Sequence, residues 1–68
     1  MDEERFNISL RSLLKHFGVT AQREVEKAVD AAQRSGALAG RSTLQARAVM
    51  IVEGLETEIA VEGQIELA

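Results

Sequence analysis

Ser12 and His16 stand four residues apart, the spacing at which a hydroxyl and an imidazole on one helix face can meet as nucleophile and base. No third residue is placed to orient the imidazole, and nothing suggests an oxyanion hole. A histidine near a helix C-terminus is also a favourable dipole partner, and that surface role is the simpler reading. A second set, Glu56, Glu58, Glu62 and Glu66, shares one face of an extended segment and has the chemistry of a cation site or a general acid. Alternate strand residues lie about 6.7 Å apart along the chain, too far for two carboxylates to share an ion unaided. The stretch that would face them offers Gln45 and Arg47 instead. A solvated face that discourages edge-to-edge pairing is favoured. Gly36, Gly40, Gly54 and Gly63 build no phosphate-loop pattern and read as turn residues. With one histidine and no cysteine, a zinc site of the usual kind lacks ligands. No catalytic residue, cofactor or metal is expected.

The elements that would position such groups must come from 68 residues, 46% hydrophobic and 28% charged, without proline, tryptophan or tyrosine. A chain of this size buries only about 60% of its unfolded surface and is marginally stable. The charge is local. Residues 1–18 and 19–36 each balance to zero, residues 37–52 carry Arg41 and Arg47, and residues 53–68 carry five glutamates and no base. No basic stripe emerges, which weighs against nucleic acid. The longest apolar run is the five residues Ala48 to Val52, against about 20 for a membrane span. The start, Met1-Asp2-Glu3-Glu4, is acidic and has no apolar stretch behind it, unlike a secretory signal. A cytoplasmic, membrane-free protein is expected.

Phe6, Leu10, Leu13, Leu14 and Phe17 follow a 3.6-residue period, which predicts an amphipathic helix over 3–17. Gly18 stands where a left-handed cap would end it. Thr20 offers an N-cap for a second helix over 21–35, with the small stripe Ala21, Val25, Ala28, Val29 and Ala32 and with Gly36 as its end. A connector follows over 36–43, anchored by Leu38. From residue 44 the period falls to two, giving strands over 44–52 and 55–67 around a turn at Glu53-Gly54. A two-residue turn there pairs Val52 with Leu55, Met50 with Thr57, Ala48 with Ile59 and Ala46 with Val61. Inward positions then meet inward positions. Gly63 reads as a bulge or bend in one continuous strand rather than a second turn.

The fold class expected is α+β, a single domain over 1–68: two antiparallel N-terminal helices packed on one face of a C-terminal β-hairpin. Phe6, Leu10, Leu14, Phe17, Val25, Val29 and the inward strand residues would form the core. The order of elements also suggests a truncated winged helix. Tested as a helix-turn-helix, the sequence departs from the pattern. Glu24 stands where an apolar residue is usual after the turn glycine, and Leu14 where a small one is usual before it. In that alternative Gln22, Arg23, Lys27 and Arg34 would contact nucleic acid.

The stretches Glu4-Arg5-Phe6-Asn7-Ile8-Ser9, Gly18 through Val29, and Val61-Glu62-Gly63-Gln64-Ile65-Glu66-Leu67 resemble a small family of uncharacterised bacterial proteins of about this length. The resemblance covers nearly the whole chain. It implies a domain of unknown function, with no site or ligand assigned.

The function expected is non-enzymatic: protein–protein interaction or self-association, with nucleic-acid binding as the alternative. The expected contact is a homodimer or protein partner through the hairpin. Val49 and Ile51 are apolar where a solvated strand face would be polar, Ala60 joins them across the ladder, and Arg47 stands at the rim.

Overall fold

A computed structural model describes all residues, 1–68. One helix and two strands follow in order: α1 (Glu3–Ser35), β1 (Thr43–Met50) and β2 (Ile59–Glu66). The chain divides into two compact units, Met1–Leu38 and Ala39–Ala68.

In the first unit the two helices expected over 3–17 and 21–35 are one helix of 33 residues. The antiparallel helix pair, and with it the truncated winged helix, is corrected by this. Gly18 takes no left-handed conformation and lies inside α1. A glycine in a helix interior costs about 1 kcal/mol relative to alanine, a penalty that residues on both sides with good periodicity can outweigh. Only proline would have removed a hydrogen bond and forced a break, and the chain has none. The true ends are capped on both sides. The Asp2 carboxylate accepts a hydrogen bond from the Arg5 amide at 3.0 Å, and Glu3 and Glu4 occupy the first turn, where the dipole favours acids. At the other end Gly36 adopts φ 81°, its amide donates to Gln33 O at 3.2 Å, and Ala37 N donates to Ala32 O at 3.0 Å. That is a Schellman closure, and its left-handed residue needs glycine.

In the second unit β1 and β2 pair antiparallel from Thr43↔Glu66 to Met50↔Ile59. A bond from Leu67 N to Ser42 O at 2.8 Å carries the same register one step further. The hairpin is present, but its expected two-residue turn is not. Met50 pairs with Ile59, not Thr57, and Ala48 with Val61, not Ile59. Residues 51–58 form the connection. The cause lies at Glu53-Gly54. Leu55 N donates to Val52 O at 3.1 Å, so a turn exists there, and Gly54 has φ 91°. No residue other than glycine has positive φ, so Glu53 does not. The turn therefore has positive φ at its second central residue only, as in type II, whereas two-residue hairpin loops need positive φ at the first. The strands splay, and pairing begins three residues before Glu53, at Met50, and five after Gly54, at Ile59.

The slip is by two positions, so each residue keeps its face. One face carries Leu44↔Ile65, Ala46↔Gly63, Ala48↔Val61 and Met50↔Ile59; the other carries Thr43↔Glu66, Gln45↔Gln64, Arg47↔Glu62 and Val49↔Ala60. Gly63 sits in regular register opposite Ala46, neither a turn nor a bulge.

No side chain in either unit is buried. The core expected of Phe6, Leu10, Leu14, Phe17, Val25 and Val29 is accordingly absent: Leu10 and Val29 are half-covered, and the other four are exposed.

Candidate interaction surface

The polar groups singled out for chemistry do not converge. Ser12 and His16 are both exposed and lie mid-helix, so His16 is not at the C-terminus where a dipole contact was expected. The serine hydroxyls that do bond turn back onto the helix itself, Ser9 Oγ donating to Phe6 O at 2.9 Å and Ser35 Oγ to Ala32 O at 3.0 Å. Of the four glutamates, only Glu62 and Glu66 fall within β2; Glu56 and Glu58 lie in the connection. Glu62 is opposite Arg47, 3.8 Å from its Nε. No group of three or more acids and histidines is placed to hold a metal ion.

The residues named for nucleic acid, Gln22, Arg23, Lys27 and Arg34, all fall on α1. Their charge is interleaved with acids: Lys27 Nζ lies 3.7 Å from Glu24, and Arg34 lies 3.0 Å from Asp30. A helix-turn-helix also needs two helices, and residues 3–35 supply one.

What is assembled is apolar. Along α1 the residues Leu10, Leu14, Phe17 and Ala21 are spaced by four, three and four, and Ala21, Val25, Ala28 and Ala32 repeat the same spacing. An eleven-residue repeat of three turns averages 3.67 residues per turn, close to the period of a straight helix. The stripe therefore holds one face from Phe6 to Ala32, with Leu13 beside it. Apart from the half-covered Leu10, its large members are open, Phe6 at 48% and Phe17 at 56% exposed, with Leu13, Leu14 and Val25 similar. A break at Gly18 would divide this face into two separate stripes. The signal that reveals it is phase: a chain breaking at Gly18 has no need to resume its stripe in step, and this one does.

The hairpin patch is smaller. Val49 and Ala60 are directly opposed, with Arg47 and Glu62 the next pair along the same face. Ile51 lies beyond the end of β1 and is 72% exposed. Thus three of the four residues expected at a contact share a face, and Ile51 sits in the connection. No helix is long and apolar enough to cross a membrane, despite the 33 residues of α1; Arg11, Lys15, Arg23, Glu24, Glu26, Lys27, Asp30 and Arg34 are spread along it.

A profile for a family of unknown function (DUF6494) matches residues 1–68. The chain belongs to that family. No match to this chain was found among curated proteins or among solved structures.

Proposed function

We propose that this DUF6494 member is a non-enzymatic cytoplasmic module for protein–protein interaction or self-association. The reading rests on one observation: a chain with 46% hydrophobic residues buries none of its large apolar side chains and leaves most of them exposed. Single exposed apolar residues are ordinary, but a contiguous stripe with polar residues around it is the mark of a contact surface. Two faces are available to a partner. One is the stripe of α1; the other is the hairpin patch of Val49, Ala60 and Arg47 with Ile51 nearby. Either would cover apolar surface that the chain itself does not.

The test is capture from the native cell with the full chain as bait, comparing wild type with Phe6→Ser/Phe17→Ser and with Val49→Thr/Ile51→Thr. Proteins recovered by wild type and lost with one of the two variants are the expected outcome. A recovered set that neither variant alters would overturn the reading.

A further inference from the structure

We propose that α1 pairs with α1 of a second copy, antiparallel about a two-fold axis at Val19. The proposal rests on the interaction-module reading and names its partner. The stripe is graded by size. Its N-terminal half holds Phe6, Leu10, Leu13, Leu14 and Phe17, and its C-terminal half holds Ala21, Val25, Ala28, Val29 and Ala32, with Val29 opposite Ser9 of the second copy. Residues equidistant from Val19 match large to small: Phe6 with Ala32, Leu10 with Ala28, Leu13 with Val25, and Phe17 with Ala21. Leu14 is the exception: it meets Glu24, which lies about five full turns from Phe6 on the same side of α1, 3.7 Å from Lys27. Turned antiparallel, two copies therefore interdigitate at even spacing, which close packing requires. Turned parallel, Phe6 and Phe17 would each meet their own copy while Ala21, Ala28 and Ala32 left gaps.

Charge selects the same direction. Residues 2–4 are all acidic, for −3, and the partner's end would place Arg34 beside them. Residues 5–14 carry Arg5 and Arg11, for +2; residues 24–33 carry Glu24, Glu26 and Asp30 against Lys27, for −2. Antiparallel pairing sets these two segments side by side twice. Parallel pairing sets each segment against itself. The one opposed stretch is 15–23, where Lys15 and Arg23 of both copies meet; long stems let these heads turn to water. The helix dipoles also oppose favourably in this arrangement.

The size of the contact sets its strength. Residues 6–32 span about 40 Å of helix about 10 Å across, a footprint at the lower end of specific interfaces. Micromolar rather than nanomolar association is expected. The large-to-small contact that a break at Gly18 would have made within one chain is, with α1 continuous, available only between two, as in exchange of elements between protomers.

The experiment uses the full chain and the absence of native cysteine. Sedimentation equilibrium at ~10–500 µM is expected to move from the 7.4 kDa monomer to twice that mass. Leu10→Cys and Ala28→Cys, each first shown by circular dichroism to keep its helix, are then mixed and oxidised. The mixed disulfide is expected to exceed either self-disulfide at least fivefold, because position 10 of one copy lies beside position 28 of the other. Four results overturn the proposal: a monomer throughout; self-disulfides dominating, which means parallel pairing; all three disulfides in statistical proportion; or dimers dissolved by Val49→Thr/Ile51→Thr but not by Phe17→Ser. A monomer whose stripe still captures a different protein would defeat self-pairing while leaving the interaction reading in place.

Discussion

The helix and the hairpin both leave apolar side chains open, but they are built from contacts of different range. Every backbone bond within α1 joins residues four apart, and both ends are closed by Asp2 and Gly36. Its formation depends on local sequence alone. The hairpin depends on a register between residues up to about two dozen positions apart, set by the loop as much as by the strands. A lone two-stranded sheet is marginal in water, and an isolated helix gains little beyond its own hydrogen bonds. What differs is the surface each presents. The hairpin alternates an apolar face with one that is polar except at Val49 and Ala60 over eight pairs, whereas α1 presents one graded stripe over seven turns. A long, rigid, one-sided face suits a partner; a short, two-sided ribbon suits a small docking contact or none.

A charge placed on each face breaks or sustains that contrast. Phe17→Asp is expected to weaken association at least 100-fold, about 2.7 kcal/mol, because a carboxylate would enter the middle of the stripe. Ile51→Asp, on a side chain already 72% exposed, is expected to cost within about 0.5 kcal/mol. Sedimentation equilibrium reads both. The reverse order would move the contact to the hairpin.

Gly54→Val tests whether the loop governs the hairpin. At φ 91° a β-branched residue is strained by about 1–2 kcal/mol, although a β-carbon there would touch nothing within 4 Å. The amides of β1 and β2 should lose protection against hydrogen exchange by about tenfold, with those of α1 as the control. Unchanged strand amides would mean that the ladder does not feel the turn.

Gly18→Ala gives the opposite sign in the other unit. A β-carbon at Gly18 meets nothing within 4 Å, and alanine is preferred in a helix interior by about 1 kcal/mol. The expected result is a more stable helix by about 0.5–1 kcal/mol in a thermal melt followed at 222 nm. Were Gly18 a left-handed cap between two helices, the same change would destabilise.

Gly36 and Gly18 mark where the sequence is readable and where it is not. Gly36 is legible as a cap because the stripe stops at Ala32 and does not resume. Gly18 carries the same composition signal, yet the spacing runs through it from Phe17 to Ala21 in step, and only the phase distinguishes interruption from continuity. The strands and their faces follow from alternation over 44–50 and 59–66. Their register did not, because it turns on whether Glu53 adopts positive φ, and a glutamate avoids that region while glycine beside it does not. The hairpin patch was readable from Val49 and Ala60, which a shift of two leaves on one face. The stripe of α1 is readable residue by residue, but a break at Gly18 would turn it into a core within the chain, and only the continuity of the helix leaves it open.

The smallest effect belongs to the hairpin's cross-strand ion pair. Arg47 and Glu62 are directly opposed with Nε and Oε1 3.8 Å apart, and both side chains are more than half open to water. At that separation and exposure the attraction is screened, and holding two long side chains in one geometry costs rotamer freedom. Glu62→Gln should therefore change hairpin stability by under about 0.5 kcal/mol in low salt and by less in high salt. Amide exchange at Ala48 and Val61, the next pair along the ladder, reads the change locally. A loss several times larger would mean that Arg47 is held by something that also shields it from solvent, which is how a hairpin contact with a partner would announce itself, and the balance between the two faces would shift away from α1.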